Sequence, residues 1–263
     1  HEYLSAFKEY LEKLPESGLA IINNDDERSV EAVKDCPARI ITYGIERQAD
    51  YAVKDIRIAD GRQEFNVLEN GAAQAVVSLR LPGNYNVSNA LAAIALARSF
   101  EIGWDTIVKS LDGFKGTWRR FDHLGDLGKA KVIADYAHTP PAIKSVISAV
   151  KDFYPNKKIL FVFQPHQYAR TKKLFNEFVS AFDEAKKALI VDIFYVEGRE
   201  RPEDYDVSSA KLAEAINARG VDISYGGDLK ETEDKIRASA DKFEVIMILG
   251  AGNIYELAKN LVK

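Results

Sequence analysis

The feature that most constrains the fold is a run of five consecutive apolar residues, Ile159 to Phe163, followed at once by a polar cluster of Gln164, His166, Gln167, Tyr168 and Arg170. A strand covered by helices above and below needs such an uninterrupted run, as in a parallel sheet. Thr171 then stands where it can cap a helix with apolar positions at Leu174, Phe175, Phe178, Val179 and Phe182. Open α/β sheets bind ligands beyond the carboxyl ends of their strands. His166 and Arg170, four residues apart at such an end, can meet an anionic small molecule. A solvated loop with a structural Pro165 accounts for the same residues, and the rest of the chain has to decide.

From Lys131 onward the pattern is regular. Apolar runs at 132–135, 159–163, 188–193, 223–225 and 245–249 read as strands. Helical patterns lie between them near 140–153, 171–186, 208–218 and 229–242, with a last one from Ile254. Strands alternating with helices at this spacing predict an α/β fold, a doubly wound, Rossmann-like parallel sheet with helices on both faces. The Gly-rich stretch 113–121 is the expected boundary, giving domains 1–116 and 117–263.

The first domain reads differently. A helix to about Leu14 stops at Pro15-Glu-Ser-Gly18, short strands follow at 19–22 and 39–43, and a helix runs through Val33 between them. Three β ribbons, 51–58, 63–68 and 74–81, are separated by Asp60-Gly61 and Asn70-Gly71, both strong hairpin signals. Helical patterns after Pro82-Gly83 and near 104–111 complete it. This mixture reads as the tail of a larger α/β domain. The chain also opens directly in a helical pattern (Tyr3, Leu4, Phe7, Leu11, Leu14) with no initiator Met, so an upstream segment is expected.

Composition removes several function classes. A formal net charge of −4 offers no basic field for nucleic acid. The single cysteine, Cys36, rules out an internal disulfide and a multi-Cys zinc site, and fits a reducing compartment. No apolar run approaches membrane-spanning length and no signal peptide opens the chain, so cytoplasmic placement without membrane insertion is expected. GxxxxGK followed by Ser or Thr, HExxH and metal-spaced Cys/His sets are all missing from the sequence.

The chemistry gathers at few places. Asp135, Tyr136 and His138 follow the strand at 132–135, with Thr139 as N-cap and Pro140 as first helical residue. An Asp there can accept from ribose hydroxyls, or simply form a turn; His138 can be a ligand or a satisfied loop histidine. Arg119-Arg120 can fork onto phosphate or serve as surface charge. Asn86 and Asn89 share a helix face and can read a purine edge, or cap the helix. Leu249-Gly-Ala-Gly-Asn-Ile254 is a glycine loop that either admits an anion or lets helix and strand pack closely.

Taken together these segments resemble the Mur ligase family of peptidoglycan synthesis, most closely its UDP-N-acetylmuramate–L-alanine branch. Pro82-Gly-Asn-Tyr-Asn-Val-Ser-Asn-Ala-Leu-Ala-Ala93 is similar to the family's HNxxNxxAA helix, Arg119-Arg-Phe121 to its RRF, and Asp135-Tyr-Ala-His-Thr-Pro140 to DYAHxP. Phe161-Val-Phe-Gln-Pro-His-Gln-Tyr-Ala-Arg-Thr171 resembles the VFQPHRYTRT segment typical of the alanine-adding branch, and 249–254 resembles GAGDI. The resemblance implies the end of the central ATPase domain followed by the C-terminal domain of an ATP-dependent amide-forming ligase. It implies ATP and Mg2+ as cofactors and UDP-N-acetylmuramate and L-alanine as substrates, joined through an acyl phosphate. By resemblance Asn86 and Asn89 bind adenine, Arg120 the phosphates and Asp135 the ribose. Tyr136, His138, His166, Gln167 and Arg170 line the amino-acid site.

Two departures stand out. Tyr85 replaces the family's usual His, and Gln167 replaces an Arg, which opens the identity of the added amino acid. The phosphate loop with its Lys, and the metal-binding Glu and His, belong to a portion this chain does not contain. The chain alone is therefore expected to be inactive. A ligase for another amino acid or a peptide, and a non-catalytic binding protein, are the alternatives.

Overall fold

In the computed structural model, which describes residues 2–59 and 61–263, the chain divides into two units, His1–Lys115 and Gly116–Lys263. The first unit runs α1 (Glu2–Glu12), β1 (Leu19–Asn23), α2 (Glu27–Ala32), β2 (Arg39–Gly44), β3 (Tyr51–Ala59), β4 (Arg62–Glu69), β5 (Ala72–Leu79), α3 (Asn84–Ser99) and α4 (Trp104–Gly113). Its strands form one mixed sheet in sequence order, parallel across β1–β2–β3 and antiparallel across β3–β4–β5. Asp26 starts α2 by accepting from the Arg28 N–H at 3.0 Å. Asn70 (φ +50°) and Gly71 (φ +80°) make the β4–β5 turn, where two positive φ values match the twist of the paired strands. The Asp60 half of the other hairpin signal lies outside the described residues. Val87, Leu91, Ile94 and Ala95 of α3 pack on Phe65, Val67, Val77 and Leu79 of the sheet.

The second unit contains β6 (Asp122–Leu127), β7 (Ala130–Asp135), α5 (Pro140–Phe153), β8 (Ile159–Phe163), α6 (Tyr168–Lys173), α7 (Phe175–Ala181), β9 (Lys187–Val191), α8 (Ser209–Asn217), β10 (Asp222–Gly227), α9 (Leu229–Ser239), β11 (Val245–Leu249) and α10 (Ile254–Leu261). The sheet order is β10-β9-β8-β11-β7-β6, parallel except for the edge strand β6. The five-residue run behaves as its composition requires. Leu160 and Val162 join one core with Ile236 of α9 and Ile254, Leu257 and Leu261 of α10. Phe163 meets the rings of Phe178 and Phe182 on the other side. Burying side chains of this size contributes about 1.5–3 kcal/mol each in transfer free energy.

This topology aligns the strand ends. Leu249 of β11 pairs with Asp135 on one side and Phe163 on the other. Residues 136–138, 164–167 and 250–253 therefore leave the sheet at one edge. The chain passes from β7 to β8 across the position later taken by β11, which makes this edge a switch point of the kind that holds ligands.

Two sequence expectations are corrected, and one strand had no expectation behind it. β6 was not foreseen, because Asp122, His123, Gly125 and Asp126 interrupt its apolar pattern and it pairs on one side only. Thr171 does not cap a helix: α6 begins at Tyr168 with Gln167 in the cap position, and the buried Thr171 hydroxyl donates back to the Gln167 carbonyl at 2.8 Å. The single helix expected over 171–186 is two short ones, broken at Leu174 (φ −110°, ψ 24°).

Candidate functional site

The candidate site in the second unit is built on Asp135. Its side chain is 5 % exposed, and its carboxylate accepts from the N–H groups of Phe121 (2.9 Å) and Ala137 (2.8 Å). Burial pushes its pKa up, opposed by those two hydrogen bonds and by the Arg120 guanidinium. The Phe121 contact fixes a turn that carries two left-handed non-glycine residues, Arg119 (φ +58°) and Phe121 (φ +49°). Such conformations persist only where their surroundings hold them. Here the Tyr136 N–H donates to the Arg119 carbonyl at 2.9 Å, and the Tyr255 hydroxyl donates to Asp122 at 2.8 Å.

The two arginines of this turn part ways. Arg119 donates to the carbonyls of Gly250 (2.8 Å) and Gly252 (3.0 Å), with its guanidinium over the rings of Trp118, Tyr136 and Tyr255. It ties the turn to the glycine loop. Arg120 is exposed and contacts the Tyr136 ring at 5.2 Å. Of the pair, Arg120 is the one open to a ligand.

Tyr136 and His138 follow. The His138 Nδ1 lies 2.9 Å from the Tyr136 carbonyl, which can only accept, so Nδ1 carries the proton and Nε2 the lone pair. The His138 ring is 5.1 Å from the Tyr136 ring and 6.1 Å from that of His166. His166 is stacked on Phe194 at 5.2 Å, and its Nδ1 is buried with no hydrogen-bond partner among the described residues. Arg170 is half-buried, close enough to both histidines to repel their charged forms, and makes no ion pair among the described residues. Gln167 has a positive φ of +71° with ψ 131°. The structure thus brings Asp135, Tyr136, His138, His166, Gln167 and Arg170 to one sheet edge. Asn86 and Asn89 belong to the first unit: Asn86 Nδ2 donates to the Pro82 carbonyl at 2.7 Å, leaving its Oδ1, and Asn89 is exposed on α3. Gly83 (φ +92°), not an Asn, occupies the cap of that helix.

The glycine loop is a packing device. The Ile254 N–H that opens α10 donates to Gln164 Oε1 at 3.1 Å, and Gln164 Nε2 donates to Asn253 Oδ1 at 3.0 Å. A Cβ on Gly252 would meet Phe194 Cγ at 2.6 Å and Gln164 Oε1 at 2.7 Å. Close helix–strand packing, rather than room for an anion, is what these glycines provide. Phe194 and Glu200 were not singled out from the sequence and carry no local signal there; Gln164, singled out with the polar cluster after the apolar strand, serves this packing instead.

Burial is the first cause holding the pKa of His138 and of His166 below the ordinary histidine value. Arg170 lowers both further, the Tyr136 hydrogen bond opposes the shift at His138, and Glu200 opposes it at His166. Between the lowered folded value and about 6.5 the unfolded chain binds more protons, so stability rises with pH there. The contribution is complete above about 6.5 and is lost as pH falls through the folded values. We expect the denaturant midpoint of this unit to fall between about pH 7.5 and about pH 5, and the His138→Asn/His166→Asn double variant to show a flatter profile. Equal slopes in the two proteins would contradict this.

Residues 1–97 match the Mur ligase middle domain, and residues 119–252 match the Mur ligase glutamate ligase domain. The chain belongs to the Mur ligase family. It is similar to the UDP-N-acetylmuramate–L-alanine ligase of Aquifex aeolicus, with 35% identity over 98% of this chain and 55% of that protein. It is also similar to that of Caldanaerobacter subterraneus subsp. tengcongensis, with 33% identity over 98% and 55%. Among solved structures, UDP-N-acetylmuramate-alanine ligase MurC from Thermotoga maritima superposes with a TM-score of 0.79 at 25% identity, covering 99% of this chain and 54% of that one. The family and the α/β fold expected from the sequence are borne out. The chain spans about half the length of the curated relatives it matches. No described helix is long and apolar enough to cross a membrane.

Proposed function

We propose that this chain is the nucleotide-adjacent and amino-acid-accepting part of a cytoplasmic, ATP-dependent ligase that joins L-alanine to UDP-N-acetylmuramate through an acyl phosphate. The observation that carries this reading is Arg170, a half-buried guanidinium with no carboxylate partner among the described residues, beside two imidazoles whose pKa values burial lowers. Arg170 forks onto the carboxylate of the incoming amino acid. The His138 Nε2 lone pair accepts from its ammonium group, and the His166 and Tyr136 rings bound the space. Binding of this kind lines up the amine for attack, and positioning supplies much of the rate in such a reaction. The ammonium first gives one proton to His138 Nε2; the free amine then forms the C–N bond, the acyl C–O bond to phosphate breaks, and the second amine proton goes to the departing inorganic phosphate or to water.

Asn86 Oδ1 and the exposed Asn89 amide suit the edge of adenine, and the exposed Arg120 suits phosphate. Asp135 reaches a ribose only through the lone pairs its two N–H partners leave. Among the described residues no group of three or more His, Cys, Asp or Glu side chains could hold a metal ion, so no step is assigned to Mg2+ here. The sequence also contains no GxxxxGK loop to hold a γ-phosphate.

An amino-acid panel in a full-length ligase containing this chain tests the acceptor. L-alanine should give the highest kcat/KM. Preference for a larger or acidic amino acid would move the assignment to another Mur-type ligase and make Gln167 the residue to examine. No response to any amino acid would favour a non-catalytic binding protein.

A further inference from the structure

The segment that follows β9 grips the candidate wall from outside. Phe194 extends the sheet past its regular strands: its N–H donates to the Pro165 carbonyl (2.8 Å) and its carbonyl accepts from Gln167 (3.0 Å). Its ring lies flat on His166. The chain then turns at Gly198 (φ +75°), and Glu200 reaches back with both oxygens. One accepts from the Val196 N–H and the other from the Tyr168 N–H, each at 3.1 Å. Further along, the Tyr205 ring meets Tyr168 edge-on at 5.1 Å, and Lys172 pairs with Asp206 at 3.0 Å.

The position of Tyr168 N matters because it defines ψ of Gln167. Gln167 combines φ +71° with ψ 131°, outside the left-handed basin where other non-glycine residues rest. Its own N–H is held by Phe194 and the next N–H by Glu200, so one segment fixes both peptides around the strained residue. That residue separates His166 from Arg170. The Tyr168 N–H is also the first of α6 and has no partner within the helix, which a carboxylate satisfies well.

We propose that Glu200 is a positioning residue for this wall: by holding the peptide after Gln167 it sets the directions in which His166 and Arg170 face the incoming amino acid. The proposal rests on the reading of the wall as the acceptor site. It makes residues 194–206 and α6 one mechanical unit, although about thirty residues separate them in sequence.

The test uses Glu200→Ala and Glu200→Gln in the 263-residue chain and in a full-length ligase containing it. By NMR of the chain, Glu200→Ala should speed hydrogen exchange at the Tyr168 amide about tenfold and shift the His166 ring and Gln167 amide resonances, with the β11 amides unmoved. Glu200→Gln, which loses the charge but keeps one acceptor, should show smaller changes and remains the probe if the alanine variant does not fold. In the ligase, KM for L-alanine should rise about tenfold in Glu200→Ala with KM for ATP unchanged. Unmoved His166 and Gln167 resonances in a folded variant, or equal rises in both KM values, would overturn the proposal. A wall that loosens as described in a ligase indifferent to every amino acid would instead refute the acceptor reading alone.

Discussion

Replacing Asp135 by alanine should lower the unfolding free energy of the second unit by about 2–4 kcal/mol, the largest effect expected of any single site change here. The carboxylate is buried and satisfies the N–H groups of Phe121 and Ala137, both of which would be left without an acceptor. The loss would also release the turn in which Arg119 and Phe121 sit at positive φ. Phe121 itself is buried against the rings of Phe153 and Tyr154, so the turn cannot open without exposing them. Asp135→Asn retains one acceptor and should lose roughly half as much. Denaturant unfolding of the three proteins checks this, and an Asp135→Ala midpoint equal to wild type would show that the carboxylate does not hold the turn.

Replacing Arg170 by alanine in a full-length ligase should lower kcat/KM for the amino acid about a hundredfold while leaving ATP binding within about twofold. A half-buried guanidinium with no ion pair among the described residues is a poor contributor to stability. Its charge burdens both neighbouring imidazoles, whose pKa values it lowers. Such an arrangement is favourable once an anionic group arrives. The same variant should therefore be no less stable than wild type without substrate. A collapse of ATP affinity with amino-acid kinetics intact would place Arg170 at the nucleotide instead.

Much of the second unit was legible because its signals are local. The run Ile159–Phe163 has the pattern a doubly covered strand requires, Pro140 marked the first residue of α5, and the polar residues after β7 and β8 marked the edge where a site could form. What escaped was set by tertiary partners. Arg119 and Arg120 are identical and adjacent, and only the carbonyls of Gly250 and Gly252 decide which is structural. Thr171 had the right chemistry for a cap, but Gln167 takes that place because Phe194 and Glu200 hold the chain there. Gln164 looked like part of the site and turned out to cap α10. β6, broken by polar residues and paired along one edge, had no pattern to read.

The central claim is that this wall receives the amino acid of a UDP-N-acetylmuramate ligase, and phosphate release tests it most directly. In a full-length ligase containing this chain, ATP-dependent release of inorganic phosphate should require UDP-N-acetylmuramate and L-alanine together and fall to background when either is omitted. Release that proceeds at the same rate without UDP-N-acetylmuramate, or without any amino acid, would contradict the account.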